Sequence, residues 1–128
     1  KINILHVVEE VPEGAKGFVH GVIGEDRWEE LKQRNEARVL DTIKTRLEKF
    51  CDDVGEELPE CRTFVDEITA RIGNPVNEII TMMATGGFDI LVMGSHGHGR
   101  ISDAMMGSTA MRVLRRCTKA VLVIRLPE

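Results

Sequence analysis

A chain of 128 residues, 42% hydrophobic and 30% charged, has the make-up of one compact domain with a single core rather than of a disordered or multi-domain protein. Its net charge of −4 removes any general attraction for DNA or another polyanion, yet leaves room for a local phosphate site. No apolar run approaches the roughly 20 residues that span a bilayer, and no basic segment leads into an apolar signal core, so a soluble, cytoplasmic protein is expected, without membrane or nucleic-acid partners. Cys51, Cys61 and Cys117 are odd in number and lack C-x-x-C spacing, which argues against a disulfide framework or a zinc knuckle and for reduced, structural thiols.

The chain opens at Lys1 directly on a strand-like run, Ile2 to Val8, whose near-continuous apolar character predicts a parallel strand buried on both faces. Residues 9–26 hold Pro12 and four glycines, Gly14, Gly17, Gly21 and Gly24, and are expected to form a long mobile loop. From Asp26 to Val54 the positions Trp28, Leu31, Leu40, Ile43, Leu47, Phe50 and Val54 recur at helical spacing, with Asp26 as N-cap and Gly55 just past the end. The charged residues of the opposite side read as a solvated helix face. Arg62 to Ile68 suggests a shorter strand nearer a sheet edge. Asn74-Pro75 then opens a helix carrying Val76, Ile79, Ile80 and Met83 and ending at Gly86-Gly87. Phe88 to Met93 is a second buried strand with Gly94 at its end, Gly107-Ser108 begins a helix carrying Met111, Leu114 and the cationic turn Arg115-Arg116, and Ala120 to Ile124 is the last strand. The alternation of strands and helices predicts an α/β fold, an open parallel sheet with helices on both faces, over residues 1–128 as a single domain.

In open α/β sheets ligands bind beyond the carboxyl ends of strands, where the unpaired N–H groups and dipole of the next helix favour anions. Met93 to Thr109 occupies that place. Gly94 and Gly97 remove side chains where the chain leaves the strand, and Gly107, Ser108 and Thr109 offer amides and two hydroxyls at a helix start. A Walker A loop is excluded because no lysine precedes Ser108, and a dinucleotide fingerprint because Ser102 stands where its last glycine would be.

Val92-Met93-Gly94-Ser95-His96-Gly97, nine residues, then Gly107-Ser108 resembles the ATP-binding signature of the universal stress protein family, and the likeness extends over nearly the whole chain. It includes Ile4-Leu5-His6-Val7-Val8 as that family's second strand, Gly73-Asn74-Pro75 opening its next helix and Ala120 to Ile124 as its last strand. The resemblance implies a Rossmann-like fold of the adenine-nucleotide α-hydrolase type and a regulatory stress-response protein that binds ATP, AMP or another adenine nucleotide, with magnesium able to accompany the phosphates. Gly94, Gly97, Gly107, Ser108 and Thr109 would contact ribose and phosphates, Met93 would lie near the nucleoside and Val7 near adenine. Homodimerisation through Val121 to Arg125 is also implied, and an edge strand this apolar does need cover. The alternatives are a slow ATP hydrolase, for which no catalytic base is visible, and a dimeric scaffold that binds no nucleotide, which the intact glycines disfavour.

Two departures stand out. Family members begin with a further strand and helix, the strand ending in an aspartate that helps to hold the nucleoside; this sequence starts after both, so a first strand and helix are expected to be lacking and the domain to be incomplete at its N-terminus. Before the last strand, Cys117-Thr118-Lys119-Ala120 replaces the family's Cys-Pro, a change expected to affect only a turn. His96 and His98 have no third ligand, so a loop role for His98 near phosphate is the simpler reading than a metal site. Arg100 is equally a phosphate partner or an ordinary surface residue. His6 reads as a sheet histidine, Met82, Met83, Met105, Met106 and Met111 as core filler, and Asp89 and Asp103 as turn and loop residues.

Overall fold

The computed structural model describes residues 1–10, 13–59, 64–95 and 106–125. They fall into two compact units, Lys1–Asn74 and Pro75–Glu128, each described here by itself.

The first unit begins with β1 (Ile2–Glu9), followed by α1 (Glu13–Ile23), α2 (Glu25–Glu57) and β2 (Val65–Gly73). β1 and β2 pair in parallel, with Ile4 opposite Ile68 and Val7 opposite Arg71, so α2 is the crossover helix of a β-α-β unit and packs on β2. The loop expected over residues 9–26 is instead largely the helix α1. Glycine is a poor helix former, yet α1 forms in contact with α2, and the Lys16 ammonium reaches back 2.9 Å to Glu10. Gly24, at φ 81°, is the hinge between the two helices: this left-handed conformation breaks the helical path, and glycine alone adopts it without a steric penalty. It also displaces Asp26 from the expected N-cap into the first turn of α2, where its carboxylate complements the helix dipole.

α2 does not stop at Gly55, which is buried inside the helix; its last turn closes on the Leu58 N–H, which donates to Val54 O at 2.8 Å. Its inward stripe also differs from the expected one. Trp28, Lys32, Glu36, Leu40, Ile43, Leu47 and Val54 are half-buried, whereas Leu31 and Phe50 are exposed. The 3.6-residue period explains the exchange, since Lys32 and Glu36 continue the row from Trp28 at four-residue steps and bury their stems. β2 reaches Gly73, five residues beyond the expected Ile68, because pairing along the full length of β1 continues that far. Residues 62 and 63 of the expected strand lie outside the described residues.

The second unit comprises α3 (Pro75–Thr85), β3 (Ile90–Gly94), α4 (Ser108–Arg116) and β4 (Ala120–Ile124). Pro75 occupies the first helical position, where its missing N–H costs nothing. Gly86 ends α3 with its N–H donating to Met82 O at 2.8 Å, and a Cβ there would collide with the Phe88 ring, so the chain can turn toward β3 only with glycine. Gly87 completes the turn at φ 68°. α3 packs against α4, and Val76, Met83, Ala110 and Val113, all on these two helices, form the buried apolar set. On α4 the buried face is therefore Ala110 and Val113; Met111 and Leu114, expected to carry it, are about two-fifths exposed.

β3 and β4 pair in parallel, with Val92 opposite Leu122 and Gly94 opposite Ile124. The described strands thus form two two-stranded parallel sheets, and none of them joins the two. A strand with one neighbour is less covered than one inside a sheet. β1 is accordingly half-buried rather than buried, and Ile90, Val92, Leu122 and Ile124 leave one side of the β3–β4 sheet about half exposed.

The turn before β4 does more than connect. Lys119 Nζ donates to the Phe88 carbonyl at 2.6 Å, tying the start of β4 to the approach to β3. Lys119→Met keeps the aliphatic stem and removes the donor, and should lower stability by about 1–2 kcal/mol. Urea unfolding followed by circular dichroism measures this; a change within about 0.3 kcal/mol, below the value of even a weak hydrogen bond, would show the tie to be idle.

Candidate functional site

The candidate site lies where β3 ends and α4 begins. Met93 and Gly94 are the last residues of β3, half-buried and paired with Val123 and Ile124 of β4. Ser95 follows and is buried, an uncommon state for a polar residue in an exit loop. Its N–H donates to Ile124 O at 2.8 Å, extending the ladder one residue beyond the strand, and its carbonyl accepts the N–H of Gly107 at 2.7 Å. This second bond brings the two ends of the glycine motif together across twelve residues of sequence.

Gly107 sits at the N-cap of α4 with φ −57° and ψ 150°, and no side chain caps the helix there. Its carbonyl accepts the first intrahelical bond, from Met111 N–H at 3.0 Å. The first amides of a helix have no intrahelical acceptor, so Ser108 and Thr109 contribute donors at the positive end of the dipole, with their hydroxyls beside them. Gly107 itself offers space rather than a donor, because its N–H is engaged by Ser95.

The local electrostatics differ from those of the whole chain. Among the described residues the second unit holds Arg112, Arg115, Arg116, Lys119 and Arg125 against only Glu78 and Asp89. Arg112 and Arg115 are exposed, and Arg116 donates to Asn77 Oδ1 at 2.8 Å. This excess of positive charge favours anions near α4 even though the chain carries −4.

The structure therefore brings together Met93, Gly94, Gly107, Ser108 and Thr109. Gly97 and His98, with His96, lie outside the described residues. Val7 belongs to the first unit, half-buried near the carboxyl end of β1. Among the described residues no three His, Cys, Asp or Glu side chains are grouped as a metal would require, no helix is long and apolar enough to cross a membrane, and Cys51 and Cys117 are free thiols.

Two features escaped the sequence reading. Ser95 acts through its main-chain atoms, which leave no residue-type signal beyond its place between Gly94 and Gly97. In the first unit a cavity of about 170 Å3 is lined by Val8, Glu10, Lys16, Trp28, Lys32 and Ile72. Val7 is not among the residues that line it. Within it the hydrogen bond from Lys16, then the charges of Lys16 and Lys32, hold the Glu10 carboxyl below the usual carboxylate range.

A parallel β-α-β arrangement with Gly94 at a strand end, held through Ser95 to the uncapped start of the next helix, defines an α/β protein of the Rossmann-like class, and comparison with solved structures agrees. The structure of MJ0577 superimposes with a TM-score of 0.70 at 24% identity, covering 98% of this chain and 76% of that one. The structure of PH0823 superimposes with a TM-score of 0.59 at 23% identity, covering 98% and 75%. The chain belongs to the universal stress protein family, whose sequence profile matches residues 1–125. It is 26% identical over 129 residues to universal stress protein MJ0577 of Methanocaldococcus jannaschii, covering 98% of this chain and 76% of that protein. Universal stress protein MJ0531 of the same organism is 27% identical over 131 residues, covering the whole of this chain and 66% of that relative. Universal stress protein Slr1230 of Synechocystis is 34% identical over 70 residues, 55% of this chain and 24% of its own length.

Proposed function

We propose that this universal stress protein domain binds an adenine nucleotide, ATP in the first instance, and serves a regulatory role in a cytoplasmic stress response. The observation that carries the reading is the joined motif: Gly94 at the end of a parallel strand, held through Ser95 and Gly107 to the uncapped start of α4. In this reading the amides and hydroxyls of Ser108 and Thr109 receive phosphate oxygens, Gly94 and Gly97 let ribose and phosphate approach the main chain, and His98 stands near phosphate. Met93 lies near the nucleoside, while magnesium would accompany the phosphates. Val121 to Arg125 would pair with a second copy of the chain, along the edge of β4 that no other described strand occupies.

Mass spectrometry of the small molecules released on denaturing the purified protein tests the reading. ATP or AMP in stoichiometric amount is expected. An empty protein that also takes up no added ATP would leave a dimeric scaffold in its place, and sustained turnover of excess ATP would make it a hydrolase.

A further inference from the structure

We infer that the hydrogen bond from Gly107 N–H to the Ser95 carbonyl is a main-chain latch that sets the position of the α4 amides relative to Gly94, making Ser95 and Gly107 positioning residues through backbone atoms. The inference rests on the nucleotide reading and deepens it by tracing the geometry of the phosphate side to one bond.

The β3–β4 ladder ends with Gly94 opposite Ile124, and Ser95 prolongs it by giving its N–H to Ile124 O at 2.8 Å. Ser95 is only 9% exposed, so the carbonyl that follows is presented from a fixed, packed position. That carbonyl takes the Gly107 N–H at 2.7 Å, at the short end of the N–H···O range. Gly107 O in turn takes the Met111 N–H at 3.0 Å. Three main-chain bonds in succession thus connect β4, the end of β3, the N-cap and the first turn of α4. The Ser108 and Thr109 amides are held relative to Gly94 before any ligand arrives, so binding need not supply the ordering.

The torsions at Gly107 show how to isolate the bond. φ −57° and ψ 150° lie in the polyproline region, which proline adopts naturally. Gly107→Pro suits these torsions and breaks the bond, losing the N–H and setting its Cδ against the Ser95 carbonyl, whereas Gly107→Ala adds a methyl group while keeping the N–H. ATP affinity is to be measured by calorimetry for the parent chain and both variants, together with amide hydrogen exchange of the ligand-free parent. A protected Gly107 amide is expected, with Gly107→Pro binding about fivefold or more weaker than Gly107→Ala, the loss set by one hydrogen bond. Equal affinities for the two variants, or an unprotected Gly107 amide, would overturn the latch. Absence of ATP binding by the parent chain would sink the nucleotide reading instead, and the exchange measurement would still decide the latch, as it would if Gly107→Pro failed to fold.

Discussion

A calorimetric titration of Gly107→Val with ATP is expected to give no binding heat at concentrations that saturate the parent protein, a loss of at least about 100-fold, or about 2.7 kcal/mol. Valine keeps the N–H that Ser95 accepts, and φ −57° with ψ 150° is permitted to a β-branched residue, so neither the bond nor the fold should fail. What changes is bulk. The two γ-carbons of valine stand at the N-cap, next to the Ser108 and Thr109 amides that phosphate oxygens would approach. A matching melting curve for the variant makes the result specific to the site; unchanged affinity would remove this end of the motif from nucleotide binding.

The largest effect on stability is expected from Val113→Asp. Val113 is fully buried on α4, on the face that also carries Ala110. An ionised carboxylate there loses its hydration among apolar neighbours, so the cost should exceed about 4 kcal/mol, a large fraction of the stability of an ordinary domain. Val113→Ala removes two methyl groups without adding charge and should cost roughly 1–3 kcal/mol. Urea unfolding of both variants distinguishes these outcomes. A loss under about 1 kcal/mol for the aspartate variant, the range of a surface substitution, would mean that the α3–α4 packing tolerates a charge and is not the core of its unit.

The elements that were legible from sequence are those whose signals are local. Asn74-Pro75 and Gly86-Gly87 bracket α3 because a proline can start a helix and the bulk of Phe88 demands glycine at its end. Ala120 to Ile124 is β4 residue for residue. What was not legible depended on partners distant in sequence. Three glycines between Glu13 and Ile23 argue against a helix until α2 is there to pack on and Glu10 is there to hold Lys16. The far end of β2 is fixed by the length of β1, and the exposure of Ile90 and Val92 by how few strands pair. At the site, Gly94 and Gly107 were readable as glycines, because their residue type is the signal. The bond joining them was not, since a carbonyl and an amide are common to every residue.

β4 has two edges. One is bonded to β3 and, through Ile124 O, to Ser95; among the described residues the other has no strand beside it. A second copy pairing on that open edge would grip the strand whose Ile124 carbonyl holds Ser95. Nucleotide occupancy and self-association would then be thermodynamically linked: whatever factor ATP applies to the dimer constant, the dimer must apply to the ATP constant. Affinities taken at a single protein concentration would accordingly average two species, and a dilution series would separate them.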